Sequence, residues 1–484
     1  MLLPVFASAE DYSALPEGYP APTEDYSAST FGIRSDGITL NTRSIQYAVD
    51  YIHDHGGGRL VFEVGRYLTG TIHLKSNVGL ELKEGAVLLG SLNPFDYDKD
   101  GFTALLLANN QQNISVGGKG IIDGQGRQVA ANTVALIHSG IIKDPLTSDR
   151  PNEANRPMLI YFRSCNNVIL KNITLKNSAS WVDTYDQCKD LTIDSIRVDS
   201  KAFWNNDGMD IVDCSQVQIT NCFVDAADDG ICLKSHDPAA ACTDVLIRDC
   251  TIRSSANAIK FGTVSRGGFR HIRIIKNKVY DTYRSALAFE AVDGATIEDV
   301  IADSLDAVNT GNALFLRIGA RSGDRKSSLS DVTISHLSVQ IPARKPDSGY
   351  EYEGPIEDQP RNISPIVLTG MPDAFLKNIR LTDISIRYPG GGNTFIANRG
   401  LTELDSIPEL PAKYPDFSMF KELPAWGLYV RHARGLTVTN LTLSCAAKDY
   451  RTAIVLDDVQ GAVFKHTVVK EPGNKKPFFL HASR

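Results

Sequence analysis

The feature that most constrains this chain is a short motif of alternating polar and β-branched residues, repeated along most of its length. Copies begin at Asn167, Asp190, Gln216, Asp244, His271, Asp299, Asp331, Asn378 and Gly435. The first copies are roughly 20 to 30 residues apart, which is typical of one coil in a solenoid. The later copies are further apart, which indicates coils that carry inserted loops.

Each copy contains two alternating runs, which predict short strands rather than helices. A unit this small cannot bury its own apolar face, so neighbouring repeats must stack into one continuous core. The pattern therefore predicts an all-β fold, a single-stranded parallel β-helix that occupies residues 31–484 as one domain. We expect loop insertions near 127–157, 340–376 and 387–428. Residues 1–30 are expected to form an N-terminal extension.

An open end of such a solenoid would expose unpaired strand edges. The N-terminal part offers a cover, because Asn41 precedes apolar residues at helical spacing. These residues are Ile45, Ala48, Val49 and Ile52. We predict a capping helix that begins near Asn41 and ends at the glycines of 56–58.

The composition excludes several classes of partner. A net charge of −7 over 484 residues argues against a nucleic-acid partner. No apolar run approaches the ~20 residues that cross a bilayer, so no membrane partner is expected. Residues 7–9 (Ala-Ser-Ala) resemble a signal cleavage site, which favours a periplasmic or extracellular location. We expect a monomer.

The chain has eight cysteines, and several are separated by about one coil. The pair Cys165 and Cys188 has this spacing, and so has the pair Cys222 and Cys250. Stacked cysteines in a core behave as small hydrophobic residues, which is the reading we favour over disulfides. No spacing is typical of a zinc site, so no metal is predicted.

Three carboxylates form the strongest candidate site. Asp207 lies about one coil before Asp228 and Asp229, so stacking would place all three on one surface patch. Clustered carboxylates are typical of sites that cleave glycosidic bonds, where one acid protonates the leaving oxygen and another activates water. Asp-Gly pairs also form ordinary turns, as expected at Asp36 and Asp123. The double acid and its one-coil offset favour the catalytic interpretation.

With these motifs the chain resembles glycoside hydrolase family 28, the polygalacturonase-like enzymes. The resemblance rests on 205–208 (Asn-Asn-Asp-Gly) and on Asp228 with Asp229. It extends to 35–37 (Ser-Asp-Gly) and 120–126 (Gly-Ile-Ile-Asp-Gly-Gln-Gly). The resemblance implies a right-handed β-helix, a pectic substrate, no cofactor, and inverting hydrolysis of α-linked galacturonate. It implies that Asp228 is the general acid, while Asp207 and Asp229 position and deprotonate water.

Two positions depart from the family pattern. Asn257 stands where the family has a histidine, and Glu290 stands where it has a cation that binds a uronate. Candidate replacements for the cation are Lys234, Lys260 and Arg284, with Arg317 and Arg321 as further candidates. We therefore expect substrate binding by Lys234, Asn257, Lys260, Arg284 and Glu290. A neutral leaving sugar such as rhamnose is compatible with these departures.

Other functions remain open for this scaffold. One alternative is a β-helix polysaccharide lyase or epimerase, and another is a non-catalytic solenoid that binds carbohydrate. The long segments at 340–376 and 387–428 are expected to wall the cleft, because long insertions on a solenoid collect on one rim. Such walls favour attack at chain ends, so we expect an exo-acting enzyme.

Overall fold

In the computed structural model, the alternating motifs form short parallel strands that wind into a right-handed parallel β-helix. The structure describes residues 24–146, 149–323, 326–344, 346, 364–392, 399–473 and 476–483. The predicted cleavage site at 7–9 lies outside the described residues, and so do 345 and 347–363 of the insertion expected at 340–376.

The N-terminal coils contain ten strands. They are β1 (Asp25–Ser27), β2 (Gly58–Phe62), β3 (Gly65–Thr69), β4 (Ile72–His73), β5 (Val78–Leu82), β6 (Ala86–Gly90), β7 (Lys99–Asp100), β8 (Phe102–Asn109), β9 (Gln112–Gly118) and β10 (Ile121–Asp123). The two α-helices of the described residues also lie in this part, α1 at Thr42–Asp54 and α2 at Gly126–His138.

The central coils contain thirteen strands. They are β11 (Met158–Arg163), β12 (Asn166–Lys171), β13 (Thr174–Lys176), β14 (Asp183–Asp186), β15 (Lys189–Asp194), β16 (Arg197–Ser200), β17 (Met209–Val212), β18 (Ser215–Thr220), β19 (Phe223–Ala226), β20 (Ile231–Ser235), β21 (Cys242–Arg248), β22 (Thr251–Ser254) and β23 (Ile259–Ser265).

In the C-terminal coils several strands continue around a bend and join two or three sheets. They are β24 (Gly268–Ala291), β25 (Thr296–Ile318), β26 (Ser328–Gln340), β27 (Ile366–Thr369), β28 (Leu376–Tyr388), β29 (Ala425–Cys445), β30 (Thr452–Gln460), β31 (Val463–Lys470) and β32 (Phe478–His481).

Each coil contributes one strand to each of three parallel sheets. We call one of them the site sheet, and its central strands pair in the order β11, β14, β17, β20, β23 and β24. Its register places Met209, Ile231, Ile259 and Leu287 in one inward column. The neighbouring column, Asp210, Cys232, Lys260 and Ala288, points outward, because successive side chains of a strand alternate between faces.

The interior is filled by stacked apolar side chains from successive coils. Phe261 stacks on Phe289 with ring centroids 4.2 Å apart. All eight cysteines are free and buried, so the predicted cysteine stacks are confirmed and the disulfide alternative is wrong. At the coil corners, asparagines with positive φ form a ladder in which Asn113 donates to Asn77 and Asn167 donates to Asn113, each at 2.8 Å.

The predicted capping helix is confirmed as α1, which buries Ile45, Ala48, Val49 and Ile52. The prediction that the Asn41 side chain caps this helix is wrong. The side-chain oxygen of Asn41 instead accepts a hydrogen bond from the backbone N–H of Arg34 at 2.8 Å. Strand β1 lies within residues 1–30, which were expected to form an N-terminal extension. It pairs with β2, so this part of the stretch belongs to the β-helix. Among the described residues, no helix has the length and apolarity that a membrane span requires.

Candidate active site

The three predicted acids lie in two turns that lead into adjacent strands of the site sheet. Asp207 precedes β17, and Asp228 and Asp229 precede β20. The backbone N–H of Gly208 donates to the carbonyl of Asp229 at 2.8 Å, which stacks one turn on the next. A Cβ at Gly208 would lie 2.4 Å from the carbonyl oxygen of Gly230. The glycine after Asp207 therefore permits the close approach that brings the acids together.

Lys234 lies in the middle of the acid cluster. Its Nζ is 2.8 Å from Oδ2 of Asp207 and 3.2 Å from Sγ of Cys232, and it also donates to Asp210. The ring centroid of Trp181 is 4.6 Å away. Burial raises the pKa of both Asp207 and Asp210, and the charge of Lys234 only partly opposes this.

The same cluster has the spacing of a small metal site. One carboxylate oxygen each of Asp207 and Asp229 and the Sγ of Cys232 lie within 4.8 Å of one another. The ammonium group of Lys234 contacts Asp207 and Cys232 directly, so a protein cation already neutralises this position.

Asp229 is held ionised by its surroundings. Its Oδ1 accepts from the backbone N–H of Asn257 at 3.0 Å and from the Asn257 amide at 2.9 Å, and its Oδ2 lies 3.0 Å from Nζ of Lys260. Burial alone would raise the pKa of Asp229. The charges of Lys260, Lys234 and Arg284 outweigh this effect and hold the pKa at about 2.

Asp228 has the opposite environment. It is more exposed than Asp207 and Asp229, and its Oδ1 accepts from the backbone N–H of Asp229 at 3.0 Å. Burial of the carboxyl group, together with the charges of Asp207 and Asp229, raises the pKa of Asp228 to about 7. Two adjacent residues in one turn thus have pKa values on opposite sides of the ordinary aspartate value, the separation expected of an acid and a base.

Glu290 and Arg284 complete the predicted set. Glu290 is 1% exposed, its Oε2 is 3.9 Å from Nζ of Lys260, and burial raises its pKa to about 7. Arg284 is 4% exposed, and its Nε lies 3.0 Å from Oδ2 of Asp416. The structure therefore brings Lys234, Asn257, Lys260, Arg284 and Glu290 next to the three acids or to one another.

Two residues of the site were not predicted from the sequence. The Tyr414 hydroxyl lies 3.1 Å from Nζ of Lys260, and Asp416 pairs with Arg284. Both belong to residues 399–423, which we call the covering segment and which falls within the insertion expected at 387–428. Tyr414 is 154 residues from Lys260, and no repeat spacing links the two.

The covering segment packs on the outer face of the site sheet. Its buried apolar residues are Leu404, Ile407, Phe417, Met419, Phe420 and Leu423, and they contact Ala288, Phe315, Val367, Tyr429 and Val455. These sheet positions lie on the coils that follow the acid cluster. The groove is therefore closed on that side.

A network of charged groups fixes the base of the covering segment. Oε1 of Glu409 lies 2.9 Å from Nη2 of Arg431 and 3.0 Å from Nε2 of His432. Arg431 also donates to the carbonyl of Ile407 at 2.7 Å. Arg317, a candidate cation of the sequence, donates to the carbonyls of Gly370 and Glu409, so its contacts belong to this base.

Other predicted elements support the site from its other side. Arg156 is fully buried and donates to the carbonyls of Trp204 and Ala179 and to Oδ1 of Asn205. The insertion at 127–157 thereby positions the turn that carries Asp207. Arg321, the last candidate cation, pairs with Asp293 at 2.6 Å.

The model of the family named glycosyl hydrolases family 28 matches residues 61–245, which include all three acids and Lys234. Over these residues the chain is similar to this family. Asn257, Lys260, Arg284 and Glu290 lie beyond the matched residues, in the part where the chain departs from the family motifs.

Two curated relatives and one solved structure give the extent of the similarity. A Vitis vinifera protein named "Probable polygalacturonase" is 25% identical, over 60% of this chain and 57% of its own length. The exo-poly-alpha-D-galacturonosidase of Dickeya chrysanthemi is 27% identical, over 42% of this chain and 40% of its own. The chain thus spans about half the length of these relatives.

The solved structure is an exopolygalacturonase from Thermotoga maritima. It is 22% identical, has a TM-score of 0.61, and the match covers 77% of this chain and 89% of that one. This similarity supports the β-helix fold.

Proposed function

We propose that this protein is an inverting, exo-acting glycoside hydrolase that cleaves α-linked galacturonate in pectic oligosaccharides of the galacturonan or rhamnogalacturonan type. The main support for the proposal is that two neighbouring residues differ in pKa. The pKa of Asp228 is about 7 and that of Asp229 is about 2. At mildly acidic pH the first is protonated and the second is ionised, which is the pairing that hydrolysis needs.

In the proposed reaction, Asp228 donates its proton to the glycosidic oxygen as the bond from that oxygen to the anomeric carbon breaks. A water molecule attacks the same carbon from the opposite face, and Asp229, assisted by Asp207, accepts its proton. The products are two free sugars, and the configuration at the anomeric carbon is inverted. An inverting site needs its acid and base about 6.5–9.5 Å apart. Asp207 lies in the turn one coil before Asp228, and stacked coils are about 4.8 Å apart along the axis, so a lateral offset between the two side chains would give a spacing of this order.

The pectic substrate is inferred from relatives that are named polygalacturonase and exo-poly-alpha-D-galacturonosidase. We propose that Lys234, Asn257, Lys260, Arg284 and Glu290 line the sugar-binding surface. Asn257 and Lys260 hold the proposed base ionised, and Lys234 partly opposes the rise that burial causes in the pKa of Asp207.

Action at a chain end is proposed from the covering segment. Its apolar residues occupy the outer face of the site sheet beyond Lys260, so a polysaccharide has no path along those coils. The substrate would therefore enter from the side of Trp181 and Trp204, both of which are partly exposed. A polymeric wall substrate also favours a secreted, periplasmic or extracellular monomer.

The decisive experiment is Asp228→Asn, assayed on defined pectic fragments with the product anomer followed by NMR. We expect Asp228→Asn to lose turnover and to keep the unfolding temperature of the unmodified protein. The unmodified protein should release a product of inverted anomeric configuration. The matched control is Asp249→Asn, an exposed aspartate at a coil corner. An unsaturated, ultraviolet-absorbing product would indicate a lyase instead, and intact sugar after long incubation would indicate a binding protein.

A further inference from the structure

All three cations of the site already have carboxylate partners within the protein. Lys234 pairs with Asp207 and Asp210, and Lys260 pairs with Asp229. Arg284 pairs with Asp416, which the covering segment supplies. Each cation that a uronate carboxylate could contact is therefore shared with a carboxylate of the protein.

Arg284 lies in line with the proposed acid. The register of β20 with β23 and of β23 with β24 places Ala256 one coil after Asp228, and Arg284 one coil after Ala256. Two coils separate Asp228 from Arg284 by about 10 Å along the axis. The residue between them in this column is Ala256, whose side chain is a single methyl group.

Asp416 is fixed in place by its own segment. Its Oδ1 accepts from the backbone N–H of Ser418 at 2.9 Å and from the Ser418 hydroxyl at 2.8 Å. Its Oδ2 lies 3.0 Å from Nε of Arg284, an ion pair in which these two atoms do not form a hydrogen bond. Asp416 is 12% exposed and Arg284 is 5% exposed in their side chains, so the pair is shielded from water. The carboxylate thus occupies the place that an acidic sugar would take on Arg284.

Glu290 adds to the same effect. It is buried beside Lys260, and its Oε2 has no hydrogen-bond partner among the described residues. A uronate carboxylate that entered this end of the groove would meet the Asp416 carboxylate, and Glu290 offers no positive charge to receive it. Like charges at an interface suppress the wrong partner, so Asp416 selects against an anionic sugar.

We propose that Asp416 is a specificity-determining residue, which neutralises Arg284 and restricts the sugar ring at the closed end of the groove, next to Asp228, to a neutral sugar. This inference rests on the proposed function, since it assigns the sugar that lies beside the general acid. It implies that the cleaved linkage joins a galacturonate on the open side to a neutral terminal sugar on the closed side.

The test compares two monosaccharides that differ only at C6, galacturonic acid and galactose, by ligand-observed NMR titration. Neither sugar has a linkage to hydrolyse, so the result is independent of activity. Asp416→Asn keeps the shape of the side chain and frees Arg284. We expect this variant to bind galacturonic acid with about tenfold higher affinity than the unmodified protein does. Its affinity for galactose should stay within about twofold.

Two further variants show whether the increase in affinity for galacturonic acid depends on Arg284. The increase should disappear in the double variant Asp416→Asn/Arg284→Gln. Asp405→Asn, which changes an exposed aspartate of the same covering segment, should bind both sugars as the unmodified protein does. Unchanged or weaker binding of galacturonic acid by Asp416→Asn would overturn the inference. If Asp228→Asn still hydrolyses pectic fragments, the proposed function fails, and the binding comparison still decides the role of Asp416.

Discussion

The ammonium group of Lys260 lies 3.0 Å from Oδ2 of Asp229 and points outward from the strand that follows Asp229 by one coil. The same nitrogen is 3.1 Å from the Tyr414 hydroxyl and 3.9 Å from Oε2 of Glu290. One lysine thus links the proposed base, the covering segment and a buried second acid. Its charge is a main reason why Asp229 is ionised despite its burial.

Replacing Lys260 by methionine should therefore raise the pKa of Asp229. Loss of a neighbouring cation shifts a carboxyl pKa by about 1–3 units. The acidic limb of the profile of kcat/KM against pH should move to higher pH, because the base is now protonated over a wider range. Lys278→Met, at an exposed position of β24, is the control and should leave the limb in place. An unmoved limb in Lys260→Met would exclude Asp229 as the group that titrates there.

The alkaline limb should report the general acid. Asp228 has a pKa of about 7 and must be protonated to act, so kcat/KM should fall as pH rises through about 7. Glu290 has a similar pKa and is the competing assignment. In Glu290→Gln the limb should persist, because Asp228 still titrates. A limb that disappears in this variant would assign the titration to Glu290.

The repeat spacing was sufficient to predict most of this arrangement. A period near one coil predicts that Asp207 lies under Asp229 and Lys260 over Lys234. The register confirms the first stacking, whereas Lys260 pairs with Cys232, two residues before Lys234. Asn257 follows from the same rule. These residues belong to the regular coils, where position in sequence determines position in space.

Tyr414 and Asp416 could not be found in this way. They lie in an insertion, and an insertion has no period that relates it to Lys260 or Arg284. Their location depends on apolar packing of the covering segment and on the contacts of Glu409, which are tertiary interactions without a local signal. Arg317 and Arg321 show the converse, since cations on the repeat were candidates for the site but pair with other groups.

Asp183 provides a test of stability against pH. It is fully buried in β14, accepts from the Tyr185 hydroxyl at 2.9 Å, and has a pKa that burial raises to about 7. The folded protein keeps a proton here that the unfolded chain releases, so the free energy of unfolding falls as pH rises from about 4 to 7. The difference amounts to up to about 4 kcal/mol, at 1.36 kcal/mol for each unit of pKa.

Asp183→Asn removes this titration, so the unfolding temperature of the variant relative to the unmodified protein should rise between pH 5 and pH 8. Thermal unfolding followed by circular dichroism across this range checks the prediction. Asp249→Asn should show a constant difference from the unmodified protein. The prediction is wrong if Asp183→Asn also shows a constant difference.

Glu409 is expected to control the order of the covering segment. Its carboxylate contacts Arg431 and His432, and Arg431 reaches the carbonyl of Ile407 in the same segment. Burial lowers the pKa of His432, but hydrogen bonds to Glu409 and Asp458 outweigh this and raise it. Glu409→Gln should therefore lower the His432 pKa, measured by NMR, and loosen the anchor of the segment.

Hydrogen exchange followed by mass spectrometry gives the second readout for Glu409→Gln. Exchange in residues 399–423 should accelerate about tenfold, which corresponds to about 1.4 kcal/mol of local stability. The strands of the central coils should keep their protection from exchange. The covering segment packs on the outer face of the β-helix and does not contribute to the core inside the coils. Asp405→Asn, in the same segment, should exchange as the unmodified protein does. If the His432 pKa falls while exchange in 399–423 stays the same, the apolar contacts with Phe315 and Tyr429 hold the segment, and the charges do not.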